Sequence, residues 1–230
     1  MYTLLLRLTA PLQSWGVGSK FNIRGTEREP TKSGAIGLLA AALGILREDD
    51  RRLEELSLLR FGVRVDREGI LLKDFHMAHS SKPYTNKNSF LTYRYYLSDA
   101  VFLCGLESDR YDLLQQYEHA LRHPVFPLFL GRRSCPPTLP LVLGIRNGGL
   151  EETLRNEPFQ DDSVSEVRVV IEDNDPLSDS AMVKDVPVSF SQLERKYAYR
   201  KCREFIISTG CKQEHDPFAE LEAQNVSDKN

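Results

Sequence analysis

Apolar residues along this chain fall into short blocks separated by turn-forming and charged residues, and their spacing predicts an alternation of strands and helices. Tyr2 to Leu8 (YTLLLRL) is an apolar run of strand length. Ala10-Pro11-Leu12-Gln13-Ser14-Trp15-Gly16 ends it, with proline and glycine on either side of the only tryptophan. Pro30-Thr31-Lys32-Ser33-Gly34 reads as a helix start with Thr31 or Ser33 as cap. From Ala35 to Leu46 the pattern is apolar on every side, so that helix must be buried. Arg47 to Arg52 is a charged turn, and Leu53 to Leu59 a short amphipathic segment. Phe61 to Asp66 alternates as a strand, Arg67-Glu68-Gly69 turns it, and Ile70 to Phe75 is expected as its hairpin partner. Ala100 to Leu106 is another buried strand, and Leu113, Leu114, Tyr117, Ala120 and Leu121 lie at helical spacing within Asp109 to Leu121.

The resulting order, strand-helix-strand-strand-insert-strand-helix, is that of a split βαβ unit. It predicts an α+β, ferredoxin-like (RNA-recognition-like) domain over residues 1–146, with helices on one face of the sheet. Leu141 to Ile145 is a further candidate strand. Residues 147–230 read as a small C-terminal β-rich subdomain and tail, acidic over 147–185, with one strand-like run at Val167 to Ile171. A basic stretch, Arg195 to Lys201, enters the apolar Phe205-Ile206-Ile207, and the chain beyond Ser227 is expected to fray.

Charge changes the picture only when the chain is divided. The 230 residues carry a net charge of −3. Residues 1–150 hold 20 Lys and Arg against 15 Asp and Glu, and residues 151–230 hold 10 against 18. A near-neutral whole therefore hides a basic part suited to a polyanion. Cys104, Cys135, Cys202 and Cys211 lack any C-x-x-C pairing, and no apolar stretch has membrane length, so a cytoplasmic protein without disulfides or zinc is expected. Gly25 to Ser33 ends in Lys-Ser before a helix, but a P-loop would need glycines where Thr26 and Thr31 stand, which excludes nucleotide hydrolysis of that kind. His76 with His79, and His119 with His123, lack a third ligand at a recognisable spacing, and no metal or cofactor is expected.

Three clusters carry candidate chemistry. The first is the loop after Trp15, where Lys20, Arg24, Arg28 and Lys32 are placed for phosphates, next to the free backbone N–H groups of a helix start. A packed helix under a surface loop is the alternative there. The second is the insert from His76 to Leu97, which has no acidic residue and alternates Lys82, Lys87 and Arg94 with Tyr84, Phe90, Tyr93, Tyr95 and Tyr96. Cations hold phosphates while aromatic faces stack on bases, as single-strand binding requires. Pro83, Asn86 and Asn88 mark a hairpin tip that would wedge between nucleotides or fit against a neighbouring subunit. The third is Gly131-Arg132-Arg133, where two guanidinium groups beside a glycine turn suit bidentate phosphate contacts, unless one pairs with a core carboxylate. A metal-free ribonuclease using His76, His79, Lys82 and Tyr84 is a competing reading of the insert.

Several blocks, in order, resemble the Cas-five family, a subunit of the type I-E CRISPR surveillance complex (Cascade). They are Leu6-Arg7-Leu8 through Ala10 to Gly16, Pro30 to Gly34 with Gly37-Leu38-Leu39 and Leu43-Gly44, Asp74-Phe75-His76, Tyr93 to Ala100, and Leu130 to Pro136. The resemblance spans roughly residues 4 to 140 and does not extend to the acidic stretch. It implies a non-catalytic RNA-recognition-like domain with a β-hairpin thumb at about 76–98, which holds the 5′ handle of the CRISPR RNA and caps the backbone filament. On that reading Gln13, Trp15, Lys20, Arg24, Arg28, Lys32, Ser33, His76, Arg132 and Arg133 contact RNA. Lys82, Tyr84, Lys87, Asn88, Tyr93 and Arg94 belong to the thumb and its subunit contact. The implied protein partners are the backbone and large subunits, with the small subunits and target DNA left open. Relatives in type I-C systems cleave RNA, which keeps an endoribonuclease as the alternative, beside a purely structural bridge.

Overall fold

The computed structural model describes residues 1–17, 22–79, 89–161, 165–173, 175, 178 and 180–208. The tail expected to fray, and Cys211 with it, lie outside the described residues. The chain runs β1 (Tyr2–Thr9), β2 (Leu12–Gln13), β3 (Ile23–Arg24), α1 (Lys32–Ala42), α2 (Asp50–Ser57), β4 (Arg60–Arg67), β5 (Ile70–His79), β6 (Ser89–Ser98) and β7 (Val101–Ser108). It continues through α3 (Tyr111–Arg122), β8 (Val142–Asn147), α4 (Leu150–Asn156), β9 (Glu166–Glu172), β10 (Ala181–Ser189) and β11 (Lys196–Ser208). The fold is α+β, and among the described residues no helix is long and apolar enough to cross a membrane.

Seven strands form one antiparallel sheet in the order β10-β11-β9-β4-β7-β1-β8. The apolar run of β1 is continuous because the strand is covered on both faces, and alternate residues serve each side. Leu4, Leu6 and Leu8 join Ile36, Leu39, Phe102, Leu114 and Tyr117 under α1, α2 and α3. Leu5 and Leu103 meet Leu150, Leu154, Val169 and Ile171 under α4. Helices thus lie on both faces, not on one as expected. The short α4 sits close to the sheet because Gly105 is beneath it, where a Cβ would stand 2.5 Å from Leu150 Cδ1.

Charged side chains from the sheet close both ends of α4. At its start the Glu107 carboxylate accepts from the Leu150 N–H. At its end the buried Arg64 donates to the carbonyls of Leu154 (2.7 Å), Glu157 (2.6 Å) and Pro158 (2.8 Å), while Asp66 neutralises it at 2.6 Å.

Several expectations need correction. Ile70 to Phe75 does not pair with the Phe61 strand, because β7 and β9 occupy both edges of β4. The chain leaves the main sheet at Gly69, packed so tightly that a Cβ would lie 2.8 Å from Ala100 Cβ, and β5 pairs with β6 instead. The hairpin therefore begins at Ile70, six residues before the expected His76. Helix α1 stops at Ala42, short of Leu46, because Gly44 adopts φ +70° and turns the backbone out of the helix. Residues 147–208 supply α4 and three strands to the main sheet itself, through pairing of β9 with β4. The basic stretch after Ser189 opens β11, and its Arg200 is buried against Asp185 at 2.6 Å.

Candidate nucleic-acid interface

A second sheet stands beside the first and is organised around β6. Strand β5 runs along one edge of β6, from Ile70 opposite Ser98 to His79 opposite Ser89. On the other edge β2 pairs antiparallel at Leu97 and Ser98, and β3 pairs parallel at Tyr93 and Arg94. Cross-strand partners share a face. One face therefore carries Leu71, Lys73, Phe75, Met77, Leu91, Tyr93 and Tyr95, and the other carries Asp74, His76, Thr92, Arg94 and Tyr96.

The first face is apolar and open. Phe75 is 66% exposed, Leu71 60% and Met77 57%. The Lys73 ammonium lies 4.3 Å from the Tyr93 ring centre, a cation–π contact that leaves the charge at the surface.

The second face meets the loop of Gly131, Arg132 and Arg133. Gly131 adopts φ +82°, and a Cβ there would fall 1.6 Å from the Ser14 carbonyl oxygen, so only glycine fits. Ser14 donates its N–H to Leu130 O (3.2 Å), and Leu130 donates to Cys135 O (2.7 Å), which holds the loop closed. Arg132 then stacks over the buried Tyr96 ring at 4.5 Å and donates through Nη2 to Arg24 O (2.8 Å) and Gly25 O (3.4 Å). Burial would push the Tyr96 phenol up, but Arg132, Ser134 and Arg94 beside it outweigh burial and hold it below its ordinary value. Arg133 and Arg24 are exposed.

Four residues expected to touch RNA are buried in the fold. Trp15 is 1% exposed and packs on α1 where Gly34 makes room. Its indole N–H donates to Gln13 Oε1 (3.2 Å), and Gln13 Nε2 donates to Ala100 O (2.8 Å). The backbone of Trp15 also receives the loop, since the Glu27 N–H donates to its carbonyl at 3.0 Å. Lys32 is 3% exposed, with Nζ on Glu172 at 2.9 Å, and burial holds its ammonium below the ordinary lysine value against the pull of Glu172. Ser33 is buried next to Thr31, its Oγ 3.2 Å from Thr31 Oγ1.

The anion site expected at the start of α1 is occupied by the protein's own carboxylate. The Lys32 N–H donates to Asp185 Oδ2 at 2.8 Å, and the Thr31 hydroxyl accepts from Gly34 N–H at 3.1 Å. The reading of a packed helix beneath a surface loop is the one the geometry supports here.

Other expected residues stay at the surface. Arg28 is exposed and pairs with Glu68 at 2.7 Å, and Glu68 also meets Arg168 at 3.3 Å. Arg168 in turn holds Glu29 at 2.8 Å, so the loop before α1 is tied to β9 and to the root of the hairpin. His76 is exposed with Nε2 2.6 Å from Asp74 Oδ2. Lys20, Lys82, Tyr84, Lys87 and Asn88 lie outside the described residues. Arg24, Arg94, Arg132, Arg133 and Lys73 are thus gathered on or beside the second sheet, with Arg28 on the adjoining loop. Lys73 was not among the expected residues, whereas Tyr96 was one of the aromatics expected in the insert. The alternation Leu71-Lys73-Phe75 carried the signal for Lys73 once the strand was extended past Phe75.

Residues 3–203 match the family model described as CRISPR-associated protein (Cas_Cas5). The chain is 36% identical over 184 residues to the CRISPR system Cascade subunit CasD of Escherichia coli (strain K12), covering 72% of this chain and 82% of that protein. Among solved structures it superposes on a chain of a CRISPR RNA-guided surveillance complex with a TM-score of 0.73 and 32% identity, covering 90% of each chain. A crystal structure described as a Cas protein superposes with a TM-score of 0.70 and 39% identity, over 90% of this chain and 95% of that one. A glycine-locked double-arginine loop, a projecting hairpin and the sheet that carries them therefore sit within a match spanning most of the chain, and the protein belongs to the CRISPR-associated Cas5 family.

Proposed function

We propose that this protein is the CRISPR RNA-binding subunit of a type I-E Cascade surveillance complex, that it holds the 5′ handle of the guide RNA, and that it caps the backbone filament in antiviral defence. The observation that carries the reading is that Arg132 reaches the backbone of Arg24 where the Gly131 loop meets the second sheet, with the exposed Arg133 next in sequence. Guanidinium groups there can fork onto phosphates and stack on splayed bases. The similarity to the E. coli Cascade subunit, over most of both chains, supports membership of such a complex.

Within the main sheet, β4-β7-β1-β8 has α1 after β1 and α3 after β7, and we read this as a ferredoxin-like, RNA-recognition-like core. Residues 1–146 carry the RNA face, and the strands after 147 widen the same sheet as a C-terminal β-rich part. The hairpin serves as the thumb. Its apolar face, with Phe75, Met77 and Leu91, is the surface for a backbone subunit, and Lys82, Tyr84, Lys87 and Asn88, outside the described residues, are assigned to the same contact. The large subunit is the expected neighbour on the body, and the protein acts in the cytoplasm without a cofactor.

A second reading, a metal-independent endoribonuclease, rests on the exposed His76–Asp74 pair, in which a carboxylate orients an imidazole. One experiment separates the two. The purified protein is incubated without divalent metal with end-labelled repeat RNA, and both retention and cleavage are scored. Salt-sensitive retention of intact RNA is the expected result. Cleavage at one position, lost on His76→Ala, would establish the ribonuclease instead.

A further inference from the structure

Arg94 and Arg132 differ from three other enclosed arginines. Arg64, Arg168 and Arg200 each face a carboxylate, at 2.6, 2.8 and 2.6 Å. Among the described residues, neither Arg94 nor Arg132 has one within ion-pair distance, although both are half-buried. Arg94 Nε and Arg132 Nη1 are closed off from solvent and donate to nothing; Arg200 Nη1 shares this, but its guanidinium is already neutralised by Asp185. An enclosed cationic donor without an acceptor is unfavourable and calls for an anion. The obvious internal candidate is Asp74, opposite Arg94 across the hairpin, but its Oδ2 lies against His76 Nε2.

The two groups converge. Arg94 and Tyr96 are two apart on β6 and share a face, and Arg132 lies over the Tyr96 ring from the Gly131 loop. Remaining hydrogen bonds of Arg132 already fix its orientation, through Nη2 to the carbonyls of Arg24 and Gly25. A base carbonyl would accept from these donors yet leave two positive charges uncompensated. A phosphodiester supplies acceptors and a negative charge together.

We propose that Arg94 and Arg132, with Tyr96 as the floor between them, form a subsite for a single phosphodiester of single-stranded RNA. The inference rests on the RNA-binding reading above. It moves Arg94 from subunit contact to RNA contact, and it makes one phosphate the pin that joins the loop at Arg24, the Gly131 loop and the root of the hairpin.

The test uses the full-length protein and a set of repeat-derived RNA oligonucleotides, each carrying one uncharged methylphosphonate linkage. With the wild-type protein, one linkage should weaken retention by about tenfold or more, the size expected for losing a charge-assisted contact. Arg94→Gln and Arg132→Lys should each bind unmodified RNA more weakly and show little further loss at that linkage. Arg133→Gln should keep the linkage-specific loss. Arg94→Gln takes away none of the hydrogen bonds from Arg132 to the carbonyls of Arg24 and Gly25, so it carries the test if Arg132→Lys lowers the thermal midpoint. RNA retained by both variants with the linkage-specific loss intact would overturn the subsite and leave the RNA-binding reading standing. Failure of the wild-type protein to retain any repeat RNA would overturn both.

Discussion

Two basic residues that look alike in the sequence have opposite roles in the fold. Lys32 sits at the head of a helix in a basic loop, yet its ammonium is enclosed on Glu172 and its N–H is taken by Asp185. Arg132 sits behind a glycine and keeps an unused donor. Removing one member of a buried ion pair strands the other, at a cost of about 3–5 kcal/mol. Lys32→Gln should therefore lower stability by that order in urea unfolding while the salt slope of RNA retention stays the same. Arg132→Gln should instead reduce the salt slope, by about 0.7 for one lost phosphate contact on a single strand. A salt slope that changes with Lys32 would return that residue to the RNA face.

The elements nearest the site differ in how far they could be read in advance. The strand at Tyr2, the helix start at Thr31 and the helix through Tyr117 were legible, because burial on one or both faces imposes a period on apolar residues. Strand β5 was half legible. Its alternation is plain, but which strand it pairs with depends on β9 occupying the edge of β4 from 100 residues further along, and no local pattern carries that information. The same holds for α4, whose ends are capped by Glu107 and Arg64 from distant strands. At the site, the sequence pattern could not separate exposed arginines from Trp15, Gln13 and Lys32 buried beneath them, since aromatic and basic residues suit both places.

At the element scale the hairpin should behave as an appendage. Phe75 and Met77 are mostly exposed, so Phe75→Ser with Met77→Ser should change the unfolding free energy by less than about 1 kcal/mol. The same pair should lower the yield of assembled complex, measured by co-purification of the other subunits. An unchanged yield would remove the apolar face from assembly. The root of the hairpin has a second, acid-sensitive tie. Burial opposes ionisation of Glu68, but Arg28 and Arg168 outweigh it and hold the carboxyl below its ordinary 4.5. Because the folded state favours the charged form, this contribution is present above pH about 4.5 and fades as the pH falls through the lowered value. Glu68→Gln should flatten that acid branch by only a few tenths of a kcal/mol, given the solvent around the pair.

For the whole molecule, the question is whether the RNA-binding part can stand without the strands that follow it. Strand β9 pairs with β4, and α4 covers Leu5 and Leu103, so a chain cut after residue 146 would open a long central edge and bare one face of the sheet. Leu150, Leu154, Val169 and Ile171 would be lost from that face. Fully buried aliphatic side chains contribute about 1.5–3 kcal/mol each, which for these four approaches the 5–15 kcal/mol that holds an average domain together. Asp66 and Arg64 would remain buried-type charges in the truncated sheet, with the carbonyls of α4 gone. A fragment of residues 1–146 should therefore lack a cooperative unfolding transition and aggregate through the β4 edge, although it retains every residue of the candidate site. Calorimetry of that fragment decides the matter: a sharp transition with retained RNA binding would show that the first part folds alone, and its absence would mean that the RNA face depends on the far end of the chain for the sheet it is built on.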